Sequence, residues 1–162
     1  MKTRASFVTT CGAAFLLCAA LAPSSARADT DACTLLTPAQ VHAAVGVTVG
    51  KGEHVTPTYV KTCTWRASGS SSVKFVTLHL QTAAAYDGGK QMAQRMAALS
   101  KGGAVKAASI GEDGYYFVAG TQVGLLVKKA RVAFKVAVYA TLPVGKKEAM
   151  ELTLAKKVLP KI

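Results

Sequence analysis

Apolar and polar positions alternate most clearly over residues 73–82, VKFVTLHLQT, where Val76, Leu78 and Leu80 share one side and Thr77, His79 and Gln81 share the other. A period of two over this length predicts a β-strand with one buried side. The same period recurs at 131–140, where Val132, Phe134, Val136 and Val138 alternate with Arg131, Ala133, Lys135, Ala137 and Tyr139. Together with 123–129 it predicts a hairpin around the basic turn KKAR. Shorter strands are expected from the CTW at 63–65 to about Arg66, and near 114–118 after the turn IGEDG. The Gly- and Thr-rich stretch between 47 and 62 reads as a short strand or loop, and ASGSSS as a turn.

Helical spacing governs three other stretches. In LLTPAQVHAAVG, Thr37 suits the N-cap, Pro38 the first helical position and Gln40 the third, and Gly46 supplies a stop. This capping box predicts a short helix over 38–45, with Leu36 able to staple onto Val41. Residues 83–100 predict a second helix, with Met92, Met96 and Leu99 as a buried stripe beside Ala93 and Ala97. Asp87-Gly88-Gly89 is expected to delay its start, and Gly102-Gly103 to end it. After Pro143, residues 144–159 predict a third helix with Leu152, Leu154, Ala155, Val158 and Leu159 buried, and with Lys147 and Glu151 as an i,i+4 pair. The expected fold class is α+β: a single twisted antiparallel sheet with about three helices packed on one face, and one disulfide.

The first 28 residues change the picture of where this domain works. Lys2 and Arg4 precede an apolar run over residues 5–22, Pro23 breaks it, and Ala26-Arg27-Ala28 is a small-x-small cleavage site. That order is a secretory signal peptide. The expected organisation is a signal peptide over 1–28 and a single α+β domain over 29–162, periplasmic or secreted. Cys11 and Cys18 fall inside the leader and follow Thr10 and Leu17, which fit a lipid-attachment site poorly, so no membrane anchor is expected after cleavage. Cys33 and Cys63 remain, and an even pair in an exported domain reads first as a disulfide.

Charge bounds the partners. The chain has 20 Lys and Arg against 8 Asp and Glu; loss of Lys2, Arg4 and Arg27 leaves 17 against 8, a formal +9. Such a surface favours anionic neighbours. The candidate partner-binding residues are Lys74, Lys128, Lys129, Arg131, Lys135 and Tyr139, read as a basic and partly aromatic patch on the sheet face opposite the core. Nucleic acid is not an expected partner, because no recognition motif is present and aromatics are not interleaved with a dense basic run.

No constellation for catalysis stands out. His42, His54 and His79 show no metal-ligand spacing, Glu112-Asp113 sits in an apparent turn, and Gly88-Gly89-Lys90 lacks a phosphate loop's full pattern. No catalytic residue, metal or cofactor is therefore expected.

The segments CTLLTPAQVHAAVG, CTW, IGEDGYYF and GLLVKKARVAFKVAVYA, with the closing helix ending AKKVL, resemble a broad group of small exported bacterial envelope proteins and lipoproteins of unknown function. The resemblance implies a Cys33–Cys63 bridge and an α+β fold, and no catalytic residues. The leading expectation is a non-enzymatic binding module for a protein or an anionic envelope component. The alternatives are a periplasmic immunity or inhibitor protein for an exported toxin or enzyme, and an enzyme built on scattered His42, His54 or His79.

Overall fold

The computed structural model describes residues 30–69 and 72–162. The signal peptide expected over 1–28 lies outside the described residues, as does the middle of the ASGSSS turn. The chain runs through helix α1 (Pro38–Val45), strands β1 (Glu53–His54), β2 (Thr62–Arg66) and β3 (Val73–Thr82), and helix α2 (Ala83–Leu99). Strands β4 (Gly103–Ala107), β5 (Asp113–Ala119), β6 (Gln122–Lys129) and β7 (Val132–Ala140) follow, then helix α3 (Val144–Val158).

The capping box at the start of α1 forms as expected. Gln40 N donates to Thr37 Oγ1 at 3.2 Å, and Thr37 N donates to Gln40 Oε1 at 3.0 Å. Gly46 ends the helix at φ 72°. Immediately before it, Cys33 is bonded to Cys63 in β2. The bridge closes a separation of 30 residues, for which the chain-entropy estimate is about 3–4 kcal/mol. It ties the α1 end of the chain to the strand carrying Trp65, which is fully buried.

All strands pair antiparallel in one seven-stranded sheet of order β1-β2-β3-β7-β6-β5-β4. Two meanders, β1–β3 and β4–β7, meet where β3 pairs β7. Helix α2 therefore carries the chain from the middle of the sheet to its far edge. On one face, Val76, Leu78, Leu80, Leu125, Phe134, Val136 and Val138 join Val41 and Val45 of α1 and Leu154, Ala155 and Val158 of α3 in the main core. The expected stripe of α3 is thus buried at its centre, with Leu152 and Leu159 half-buried at its margins.

The α+β class, the single antiparallel sheet, the three helices and the disulfide are all present. The helices do not share one face, however. Tyr86 and Ala93 of α2 pack on Tyr115 and Ala133, with Phe117 and Leu126 beside them, in a separate cluster on the opposite face. The sign of this is the run GYYFV in β5. Tyr116 and Val118 point into the main core while Tyr115 and Phe117 point to α2, a strand covered on both sides.

The Met stripe is a correction. Met92, Met96 and Leu99 are 56%, 49% and 88% exposed. The side of α2 that meets the sheet is instead the one carrying Tyr86 and Ala93, and at the helix end the chain turns back tightly: a Cβ on Gly103 would lie 2.9 Å from Ala97 Cα. That close approach also lets β4 begin directly after α2, where only a helix stop was expected. Asp87-Gly88-Gly89 does not delay α2, which starts at Ala83 with Thr82 Oγ1 accepting from Ala85 N at 3.1 Å.

The i,i+4 pair on α3 is buried, with both Lys147 and Glu151 at 0% exposure. Val138 N donates to Glu151 Oε1 at 2.9 Å, and Lys147 Nζ donates to the Thr121 carbonyl. Burial pushes the Glu151 carboxyl up to about 7, against the pull of the Val138 N–H and the nearby Lys147.

Candidate functional site

One cleft lies at the disulfide and another beside the turn between β6 and β7. The larger, about 740 Å3, lies at the disulfide and is lined by Asp31, Cys33, Lys51, Glu53, His54 and Trp65 among others. His54 Nε2 donates to Asp31 Oδ1 at 2.8 Å. That bond, with Cys33 N donating to the same carboxylate at 2.7 Å, holds Asp31 below the usual carboxylate range. Asp31, Cys33 and His54 each place a ligand-type atom within 4.8 Å of the others. The Cys33 sulfur is spent on the bridge to Cys63, so in this state it offers neither a thiolate ligand nor a nucleophile. Gly52 is needed here, since a Cβ would sit 2.6 Å from Cys63 Sγ and 2.8 Å from Trp65 Nε1. The charges lining this cleft are mixed.

The second cleft, about 440 Å3, opens where the hairpin turn meets the start of α2. Ala83 N donates to the Arg131 carbonyl at 3.1 Å, so the turn and the helix start are tied together. Arg131 and Lys61 line the cleft with Tyr59, His79, Gln81 and Thr82, and no carboxylate lines it among the described residues. His79 Nδ1 and Thr62 Oγ1 are hydrogen-bonded at 2.8 Å, and the Tyr59 ring stacks beside the imidazole at 6.3 Å. Burial, reinforced by the positive Lys135 directly across the strand pair, holds the His79 pKa below its ordinary value. The imidazole is accordingly neutral at pH 7. Gln81 Nε2 is a buried amide donor with no hydrogen-bond partner. A recess walled by Arg131, with no carboxylate among its described lining residues, is suited to an anion.

The candidate partner-binding residues divide. Arg131 lines the second cleft. Lys135 pairs across from His79, on the α2 side of the sheet, and Tyr139 stacks on Phe75 with ring centroids 4.3 Å apart. Lys74 is exposed at the register shift that opens β3. Lys128 and Lys129 do not extend one patch, because adjacent strand residues point to opposite faces. Lys128 Nζ donates to Asp87 Oδ1 at 2.6 Å, under α2. Lys129 Nζ donates to the Leu159 and Ile162 carbonyls at 3.0 and 2.7 Å, on the α3 side.

Tyr59, Phe75, His79 and Gln81 were not singled out for binding. The alternation that put His79 and Gln81 on the polar side of β3 was the available signal. His42 is exposed on α1, while His54 and His79 line different clefts, so the three histidines do not converge. Among the described residues no helix is long and apolar enough to cross a membrane. No protein-family model matches the chain, and no curated protein or solved structure matches it significantly.

Proposed function

We propose that this protein is an exported, non-enzymatic binding module of the periplasm or the secreted space, and that it holds an anionic group of a protein or envelope component in the cleft between Arg131 and His79. The observation that carries this reading is the cleft's lining, with Arg131 at its wall and no carboxylate among the described residues. Export is supported by the leader pattern over residues 1–28 and by the disulfide. The likeness of the quoted segments to small exported envelope proteins agrees with this reading.

The test is capture from the native envelope on immobilised protein, followed by mass spectrometry, comparing wild type with Arg131→Glu at low and high salt. Retention of one component that falls at least tenfold with the variant, and falls again with salt, supports the reading. Retention indifferent to Arg131 overturns the cleft. Turnover of a defined envelope substrate, abolished by a change at His54 or His79, overturns the non-enzymatic reading.

A further inference from the structure

Helix α2 has a side that the fold leaves unused. Its buried residues are Tyr86 and Ala93, whereas Met92, Met96 and Leu99 repeat at helical spacing and stand 56%, 49% and 88% exposed. Ala85, two turns before Met92 and on the same side of the helix, lines the cleft with Arg131 and His79. The apolar stripe is thus a continuation of the cleft. From Ala85 to Leu99 it runs about 21 Å at 1.5 Å per residue.

Two glycines flank this stripe near its cleft end. A Cβ built on Gly88 or Gly89 meets no atom within 4 Å. Glycine is the poorest helix former after proline, and neither position needs it for packing or backbone angle within this chain. What glycine does provide is room for another backbone to come close. Charge points the same way. Between Asp87 and Glu112 the chain has Lys90, Arg95, Lys101 and Lys106 and no acidic residue. Lys90 and Lys106 are paired with Asp113 and Glu148, while Arg95 and Lys101 form no ion pair among the described residues.

We propose that this side of α2, together with the cleft, docks a polypeptide segment of a partner protein that carries acidic and apolar side chains. The proposal rests on the binding-module reading and names its partner's chemistry. A carboxylate of the segment meets Arg131, its backbone passes close to Gly88 and Gly89, and its apolar side chains cover Met92, Met96 and Leu99. Unbranched methionines suit such a surface because they repack around different side chains. The stripe is long enough for about six residues of extended chain. A second copy of this chain is disfavoured as the occupant by like charge, since 17 basic residues face 8 acidic ones in each copy once Lys2, Arg4 and Arg27 leave with the leader. A bilayer surface has no use for the room that the glycines leave.

The experiment pans a displayed library of random 12-residue peptides against the disulfide-bonded protein and measures affinities of the enriched peptides. Phosphatidylglycerol vesicles serve as a parallel probe. The expected peptides combine Asp or Glu with apolar residues. They lose at least tenfold in affinity against Met92→Glu/Met96→Glu and against Arg131→Glu, and several-fold against Gly88→Ala/Gly89→Ala. The last variant melts higher than wild type, which separates lost docking from lost folding. No enrichment beyond that seen with Met92→Glu/Met96→Glu overturns the proposal. So does vesicle binding that the same variant abolishes while no peptide binds. Loss with Arg131→Glu alone keeps the cleft as an anion site and overturns the stripe. Loss with the stripe variant alone keeps the stripe and overturns the cleft as its anionic end.

Discussion

On one face of the sheet α1 and α3 cover the central strands, and Trp65, Leu78, Leu125 and Phe134 are fully or almost fully sealed. On the other face α2 covers Tyr115, Ala133 and their neighbours, and leaves Phe75, His79, Lys135 and Tyr139 half-buried. The first face holds the fold together. The second combines a small apolar cluster with a polar and aromatic surface that the chain itself does not seal. A strand that reads as alternating therefore belongs to one sealed face and one open face, and a binding surface is to be sought on the open one.

The sharpest way to break this comparison is truncation of matched aromatics. Phe134→Ala on the sealed face is expected to cost about 3–5 kcal/mol. Tyr139→Ala on the open face is expected to cost about 1 kcal/mol, most of it lost ring stacking on Phe75. Denaturant unfolding with the disulfide intact measures both, and equal losses would show that the second face is sealed as well.

The two faces should also respond to pH in opposite directions. Glu151, beneath α3, is held near 7 by burial, against about 4.5 in an unfolded chain. The folded state keeps that proton longer, so this contribution is full below pH 4.5 and is lost as pH rises through 7, on the order of 3 kcal/mol in all. His79 has the reverse sign. Its pKa is lowered in the fold, so its contribution is full above the ordinary histidine pKa of about 6.5 and is lost as pH falls below it. Stability measured from pH 4 to 8 should lose the first slope in Glu151→Gln, whose amide still accepts from Val138 N. It should lose the second slope in His79→Gln. A Glu151→Gln protein with an unchanged pH profile would remove the carboxyl as its source.

Smaller effects come from backbone conformation. Gly88→Ala and Gly89→Ala should each stabilise by about 1 kcal/mol, since a methyl group meets open space in an α-helix. Ala130, in the two-residue turn between β6 and β7, has φ 52°, a left-handed conformation. Ala130→Gly should therefore stabilise by roughly 0.5–1 kcal/mol. Thermal unfolding checks all three, and a lower melting temperature for either helix variant would mean that α2 uses the glycines within the fold.

Much of the architecture is legible in the sequence. The Thr37–Gln40 box and Gly46 are local signals, and α1 begins and ends where they place it. The period of two marked β3 over its full length, and set Val76, Leu78 and Leu80 inward. The candidate site was legible only in part. Arg131, Lys135 and Tyr139 fall on or beside the α2 side of the sheet, but Lys128 and Lys129 are committed to Asp87 and to the C-terminal carbonyls. Charge along a chain does not say which partner each side chain reaches.

Local chemistry by itself determined the limits of α1, the major strands, the inward side of β3 and the pairing of Cys33 with Cys63. These depend on caps, on period and on a count of two cysteines, all properties of neighbouring residues or of composition. Only the tertiary structure decided that α2 lies on the opposite face, that its Met stripe is open and that Arg131 and His79 share a cleft. The burial of Lys147 and Glu151 belongs with these. Each depends on which surface a helix meets, and a helix with both small and large apolar residues can pack by either side. The sheet took the side of α2 carrying Tyr86 and Ala93, against Tyr115 and Ala133, and left the methionines facing out.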